Sequence, residues 1–107
     1  MDNLEFARKL EERTKKFAID IIRLSKTLPH GPESTVLRNQ LTKSGTSIGA
    51  NYREANRAKS RADFINKIKI CESEASEAQY WLELLVEARY VSMDKIKISN
   101  FELITSN

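Results

Sequence analysis

One histidine and one cysteine are present in 107 residues, and this scarcity limits the chemistry the chain can support. A di-metal site in a helical protein needs carboxylates together with two Glu-x-x-His pairs on facing helices. His30 stands instead within Leu28-Pro29-His30-Gly31-Pro32, a turn sequence, so that ligand set cannot be built. A Ser-His-Asp or Cys-His nucleophile fails for the same reason, since a loop imidazole has no partner at helical spacing. Cys71 falls on an apolar stripe and reads as a small buried hydrophobe rather than a reactive thiol. Glu72, Glu83 and Glu87 are scattered round an outer arc, as a solvated face would be. Glu74 and Glu77 differ, because they flank Trp81 on a second apolar face. No catalytic, metal-binding or cofactor-binding residue is assigned, and no enzyme is expected.

Cations offer more. Residues 34–62 hold Arg38, Lys43, Arg53, Arg57, Lys59 and Arg61 against Glu54 alone, a local charge of +5 in a chain of net +3. Residues 63–90 hold three basic and six acidic side chains, a local −3. Lys43, Arg53 and Arg57 fall within about 80° of one another at 100° per residue, opposite the apolar stripe of their segment. Lys59 and Arg61 continue the charge into the following turn. Such a row can neutralise successive phosphates of RNA or DNA without reading sequence. It can equally be a solvated face or pair with carboxylates of a neighbouring subunit. No aromatic residues interleave with the cations, so base stacking is not expected.

The elements that must position these residues follow from periodicity. Leu10, Thr14, Phe17, Ala18, Ile21, Leu24, Ser25 and Leu28 fall within a stripe roughly 120° wide, predicting an amphipathic helix over about residues 3–28. A second helix is expected from an N-cap at Ser34 to about Ala58, with Leu37, Leu41, Ser44, Ile48, Tyr52 and Ala55 facing the core. Gly45 and Gly49, four apart beside that stripe, each cost about 1 kcal/mol in a helix and signal a close helix–helix crossing. Asn51 lies at the stripe's edge, where it either fixes register through a buried hydrogen bond or stays peripheral. Ser60-Arg61-Ala62-Asp63 opens a third helix whose core stripe is Phe64, Ile68, Cys71, Ala75, Ala78, Leu82, Leu85 and Val86. Ile70, Trp81 and Ala88 form a separate flank. Ile70, Glu74, Glu77, Trp81 and Asn51 are therefore the candidate self-association surface, with the two carboxylates accepting bonds from arginine or asparagine. Ser92 caps a short fourth helix with Met93, Ile96, Leu103 and Ile104 inside. The fold class is all-α: one domain over 1–107, an antiparallel up-and-down four-helix bundle with a short fourth helix.

Other bounds are simple. No apolar run of about 18 residues is present, so no membrane partner is expected. The acidic start Met1-Asp2-Asn3-Leu4-Glu5 is no secretory signal, and one cysteine forms no internal disulfide, which points to the cytoplasm.

The run Leu37-Arg38-Asn39-Gln40-Leu41-Thr42-Lys43-Ser44-Gly45-Thr46-Ser47-Ile48-Gly49-Ala50-Asn51-Tyr52-Arg53-Glu54-Ala55 resembles the four-helix-bundle family related to the 23S rRNA intervening-sequence protein. Ser60-Arg61-Ala62-Asp63-Phe64-Ile65, Glu74-Ala75 and Tyr80-Trp81-Leu82-Glu83-Leu84-Leu85 look like that family's third helix. The likeness spans Phe17 to Val91. It implies a left-handed bundle assembled as a homopentamer, encoded within insertions in bacterial 23S rRNA genes or standing alone. A similar protein, the accessory variability determinant of diversity-generating retroelements, binds nucleic acid and a reverse transcriptase, so those partners are implied here as well. Asn51, Arg53, Glu54 and Glu74 carry over as family-pattern residues, structural or at a subunit interface.

Overall fold

A computed structural model describes residues 2–96, and all regular structure among them is helical. Three long helices, α1 (Asn3–Lys26), α2 (Pro32–Ala55) and α3 (Arg61–Glu87), are followed by a single helical turn, α4 (Met93–Ile96). The expected fourth-helix positions Leu103 and Ile104 lie outside the described residues. Met93, expected on the inner face, is 59% exposed.

Helix ends follow local chemistry. Asp2 caps α1 by accepting from the Glu5 N–H at 2.7 Å. Ser60 caps α3, its Oγ accepting from the Asp63 N–H at 3.0 Å; a cap of this kind contributes about 1 kcal/mol. Ser34 does not cap α2. The helix starts earlier, at Pro32 behind Gly31, because proline's fixed φ suits the first helical position. Ser34 is buried in that first turn and donates to the Pro29 carbonyl. Helix α2 also stops sooner than expected, with Asn56 as its C-cap.

Both α1 and α3 pack on α2, which is the central helix. Partners run in opposite directions along α1 and α2, since Thr14 sits beside Gly49 and Ile21 beside Gly45. A Cβ on Gly45 would lie 2.9 Å from both Cγ atoms of Ile21, and one on Gly49 would lie 3.1 Å from Thr14 Oγ1. The close crossing expected from the glycine pair is present, and it joins α2 to α1.

The core combines Phe17, Ile21, Leu24 and Leu28 with Leu41 and Ile48, then Ala78, Leu82, Leu85 and Val91. Every expected inward position of α2 from Leu41 to Ala55 is buried, and Leu37 is partly so. On α3 the stripe fails at its start: Phe64 is 39% exposed, and Ile68 is only half-buried. Phe64 lies seven residues before Cys71, which contacts Ile48. At about 1.5 Å per residue this places it level with the end of α2, where nothing from that helix remains to cover it.

Candidate nucleic-acid interface and self-association surface

Lys43, Arg53, Arg57, Lys59 and Arg61 are all exposed. Lys43 and Arg53 project from α2, separated by ten residues or about 15 Å of helix. Because α2 ends at Ala55, Arg57 belongs to the turn rather than to the helix face. Arg57 and Lys59 therefore stand together in the connection, and Arg61 opens α3. Arg53 is the one partly committed cation of the five, with Nε 3.7 Å from Glu11 Oε1. The other Glu11 oxygen accepts from Asn56 Nδ2 at 2.8 Å. An exposed pair of this kind contributes at most about 1 kcal/mol. Lys43, Arg57, Lys59 and Arg61 have no carboxylate partner among the described residues.

Arg38, the sixth cation of that stretch, has a different job. Its guanidinium donates to Ser25 O at 3.1 Å, Leu28 O at 2.9 Å and Pro29 O at 3.2 Å. It thereby gives the Leu28 carbonyl its donor and adds a charged second donor to the Ser25 and Pro29 carbonyls, which also accept from the Leu28 N–H and the Ser34 hydroxyl. Sequence reasoning counted it only as charge. The available signal was a basic residue one to two turns into a helix that follows a Leu-Pro helix stop.

A shallow groove of about 480 Å³ runs between α1 and α2, floored by Ala18, Thr46, Gly49 and Ala50. Lys15 and Arg53 on its rim are offset by Glu11 and Glu54, so it does not concentrate anionic ligands.

The second expected surface lies on α3. Trp81 is half-buried and packs against the core, so it is less free than its position on a separate flank suggested. Its ring meets Tyr80 edge-on at 5.1 Å, and its Nε1–H points to Glu77 Oε1 at 3.4 Å. Ile70 is 37% exposed and Tyr80 54%. Ala88, expected on this flank, is the C-cap of α3. Glu74 is half-buried and has no hydrogen-bond or ion-pair partner among the described residues. Asn51 donates to Ser47 O of its own helix at 2.8 Å, so it sits at the edge of the core and makes no buried cross-helix bond among the described residues.

His30 is exposed in the α1–α2 turn. Among the described residues no group of His, Cys, Asp and Glu side chains could hold a metal ion. No helix of the described residues is long and apolar enough to cross a membrane. Cys71 is buried, with Sγ 3.5 Å from Ile48 O. Burial pushes its thiol above the ordinary range by more than a backbone hydrogen bond lowers it, and Glu72 and Glu74 add lesser upward pushes. Since the thiolate is the reactive form, alkylation at pH 8 is expected to be at least tenfold slower in the native protein than in urea; equal rates would contradict this.

Three helices round one core, with exposed cations on the central helix and in the turn after it, make this an all-helical protein among the described residues. The chain belongs to the 23S rRNA-intervening sequence protein family, whose model matches residues 8–105. A solved structure from Bacteroides thetaiotaomicron VPI-5482, a protein of unknown function from the S23 ribosomal protein family, is similar at 42% identity and a TM-score of 0.78. The match covers 90% of this chain and 94% of that one. Among curated proteins none matches.

Proposed function

We propose that this chain is a non-catalytic, self-associating bundle that contacts RNA or DNA weakly and without sequence preference through its cationic surface. One observation carries the reading: four exposed cations, Lys43, Arg57, Lys59 and Arg61, lack carboxylate partners among the described residues. Three of them crowd the α2–α3 turn, where a phosphate backbone can approach without displacing an existing ion pair. Family membership and the resemblance to pentameric relatives support self-association, with a homopentamer as the assembly. A fourth helix opened at Met93 completes the bundle in this proposal. The cytoplasm is its place, and a reverse transcriptase remains a partner by resemblance alone.

A gel-shift salt series tests the nucleic-acid part. Arg57→Glu/Arg61→Glu is chosen because neither residue has a carboxylate partner among the described residues. Losing two phosphate contacts is expected to weaken binding at least tenfold at low salt and to reduce the salt slope by about two. Negligible shifts for wild type and variant alike at low salt would remove RNA and DNA from the proposal.

A second reading, a protein-docking module that does not bind nucleic acid, is favoured by the exposed Ile70 and Tyr80 beside Glu74 and Glu77. Light scattering of the wild type at micromolar concentration separates simple monomers from an assembling protein.

A further inference from the structure

Two exposed apolar surfaces of this chain carry opposite charge. The first is the outer stripe of α1, where Ile19 and Ile22 are 38% and 39% exposed. Lys15, Arg23 and Lys26 surround them, all exposed and none with a carboxylate partner among the described residues. Lys16 and Asp20 pair with each other at 3.9 Å and add no net charge. The second is the flank of α3, where Ile70 and Tyr80 are exposed beside Trp81, with Glu74 and Glu77 among them. Residues 70 to 88 contain five glutamates and no lysine or arginine.

We propose that these two surfaces are halves of one interface, the acidic α3 flank of one copy seating on the cationic α1 stripe of another. This rests on the self-association reading above and names its surfaces. The charge match selects the occupant: the α3 flank repels an acidic partner, and the α1 stripe supplies cations next to isoleucines on a similar length of helix. Lys15 to Lys26 spans eleven residues, as does Ile70 to Trp81, about 16 Å in each case. Because the halves lie on different helices, each copy retains one unused half after the first contact. Such a heterologous contact propagates until it closes into a ring or extends as a filament. The nucleic-acid cations Arg57, Lys59 and Arg61 take no part in it.

The test is a charge-swap cycle read by light scattering at micromolar concentration, with circular dichroism recording that each variant is helical. Lys15→Glu/Lys26→Glu and Glu74→Lys/Glu77→Lys are each expected to run as monomers, with association weakened at least tenfold. Mixing the two restores association as alternating copies, because each variant now meets a partner of opposite sign, although a closed ring of five would keep one like-charged junction. The quadruple variant regains wild-type mass alone. A wild type that is monomeric overturns this inference together with the self-association reading. A wild-type assembly whose mass survives both double variants overturns this inference and leaves that reading standing. A quadruple variant that stays monomeric also overturns it.

Discussion

Replacing Gly45 by alanine is expected to lower the melting temperature by roughly 5–10 °C, although alanine is the better helix former by about 1 kcal/mol. The new Cβ would lie 2.9 Å from Ile21 Cγ1 and Cγ2 and 3.2 Å from its Cβ. Ile21 is fully buried, and its branched Cβ has one strongly preferred rotamer in a helix. It has no space to swing into, so α1 and α2 must separate. Overpacking of this kind costs about 1–3 kcal/mol. Separation also loosens the neighbouring approach of Gly49 to Thr14, so the steric cost outweighs the propensity gain. Ile21→Ala alone leaves a cavity and costs about 2–5 kcal/mol. In the double variant the alanine at 45 occupies part of that space, and the combined loss falls short of the sum by about 1 kcal/mol or more. Thermal melts of the four proteins provide the check; a Gly45→Ala variant as stable as wild type would refute the account.

Removing the Arg38 guanidinium is expected to cost about 2–3 kcal/mol, far more than a surface arginine ordinarily contributes. Three carbonyls around the α1–α2 turn accept from it. Arg38→Ala leaves the Leu28 carbonyl to water or to nothing and takes a charged donor from the Ser25 and Pro29 carbonyls, which keep only the Leu28 N–H and the Ser34 hydroxyl. Arg38→Lys should recover less than half, because an ammonium cannot span three acceptors as a planar fork does. Urea melts report the stability change. The salt-dependent gel shift should not move for Arg38→Lys, because Arg38 lies outside the exposed cationic group. A shift as large as that of Arg57→Glu/Arg61→Glu would place Arg38 in the interface instead.

Inward stripes were readable because a 3.6-residue period is a one-body property: Leu41, Ile48, Leu82 and Leu85 are buried where their spacing puts them. The Gly45/Gly49 pair was readable for a similar reason, since glycine in a helix needs a compensating close contact. Phe64 was misplaced because periodicity gives a residue's direction and not how far its neighbour extends: it lies level with the end of α2, where the opposing surface runs out. The end of α2 at Ala55 carries no proline or glycine signal, and this moved Arg57 from a helix face into a turn. Arg38 shows the largest gap. Charge and spacing say nothing of three carbonyls nine to thirteen positions back in the chain, which only the folded α1–α2 turn brings within reach. The cationic positions themselves were legible, since lysine and arginine remain at the surface unless a specific partner holds them.

The central position of α2 has a consequence for how the sequence tolerates change. Gly45 and Gly49 fit one neighbour while Ser44 and Ile48 lie among the buried positions beside them, so the middle of this helix answers to two surfaces at once. A random substitution there meets two sets of steric demands, whereas one on the solvent side of α1 or α3 meets none from within its own chain. In a saturation library the dead positions should therefore concentrate in the third quarter of residues 32–55. The outer helices are where new surface character can be acquired at little structural risk.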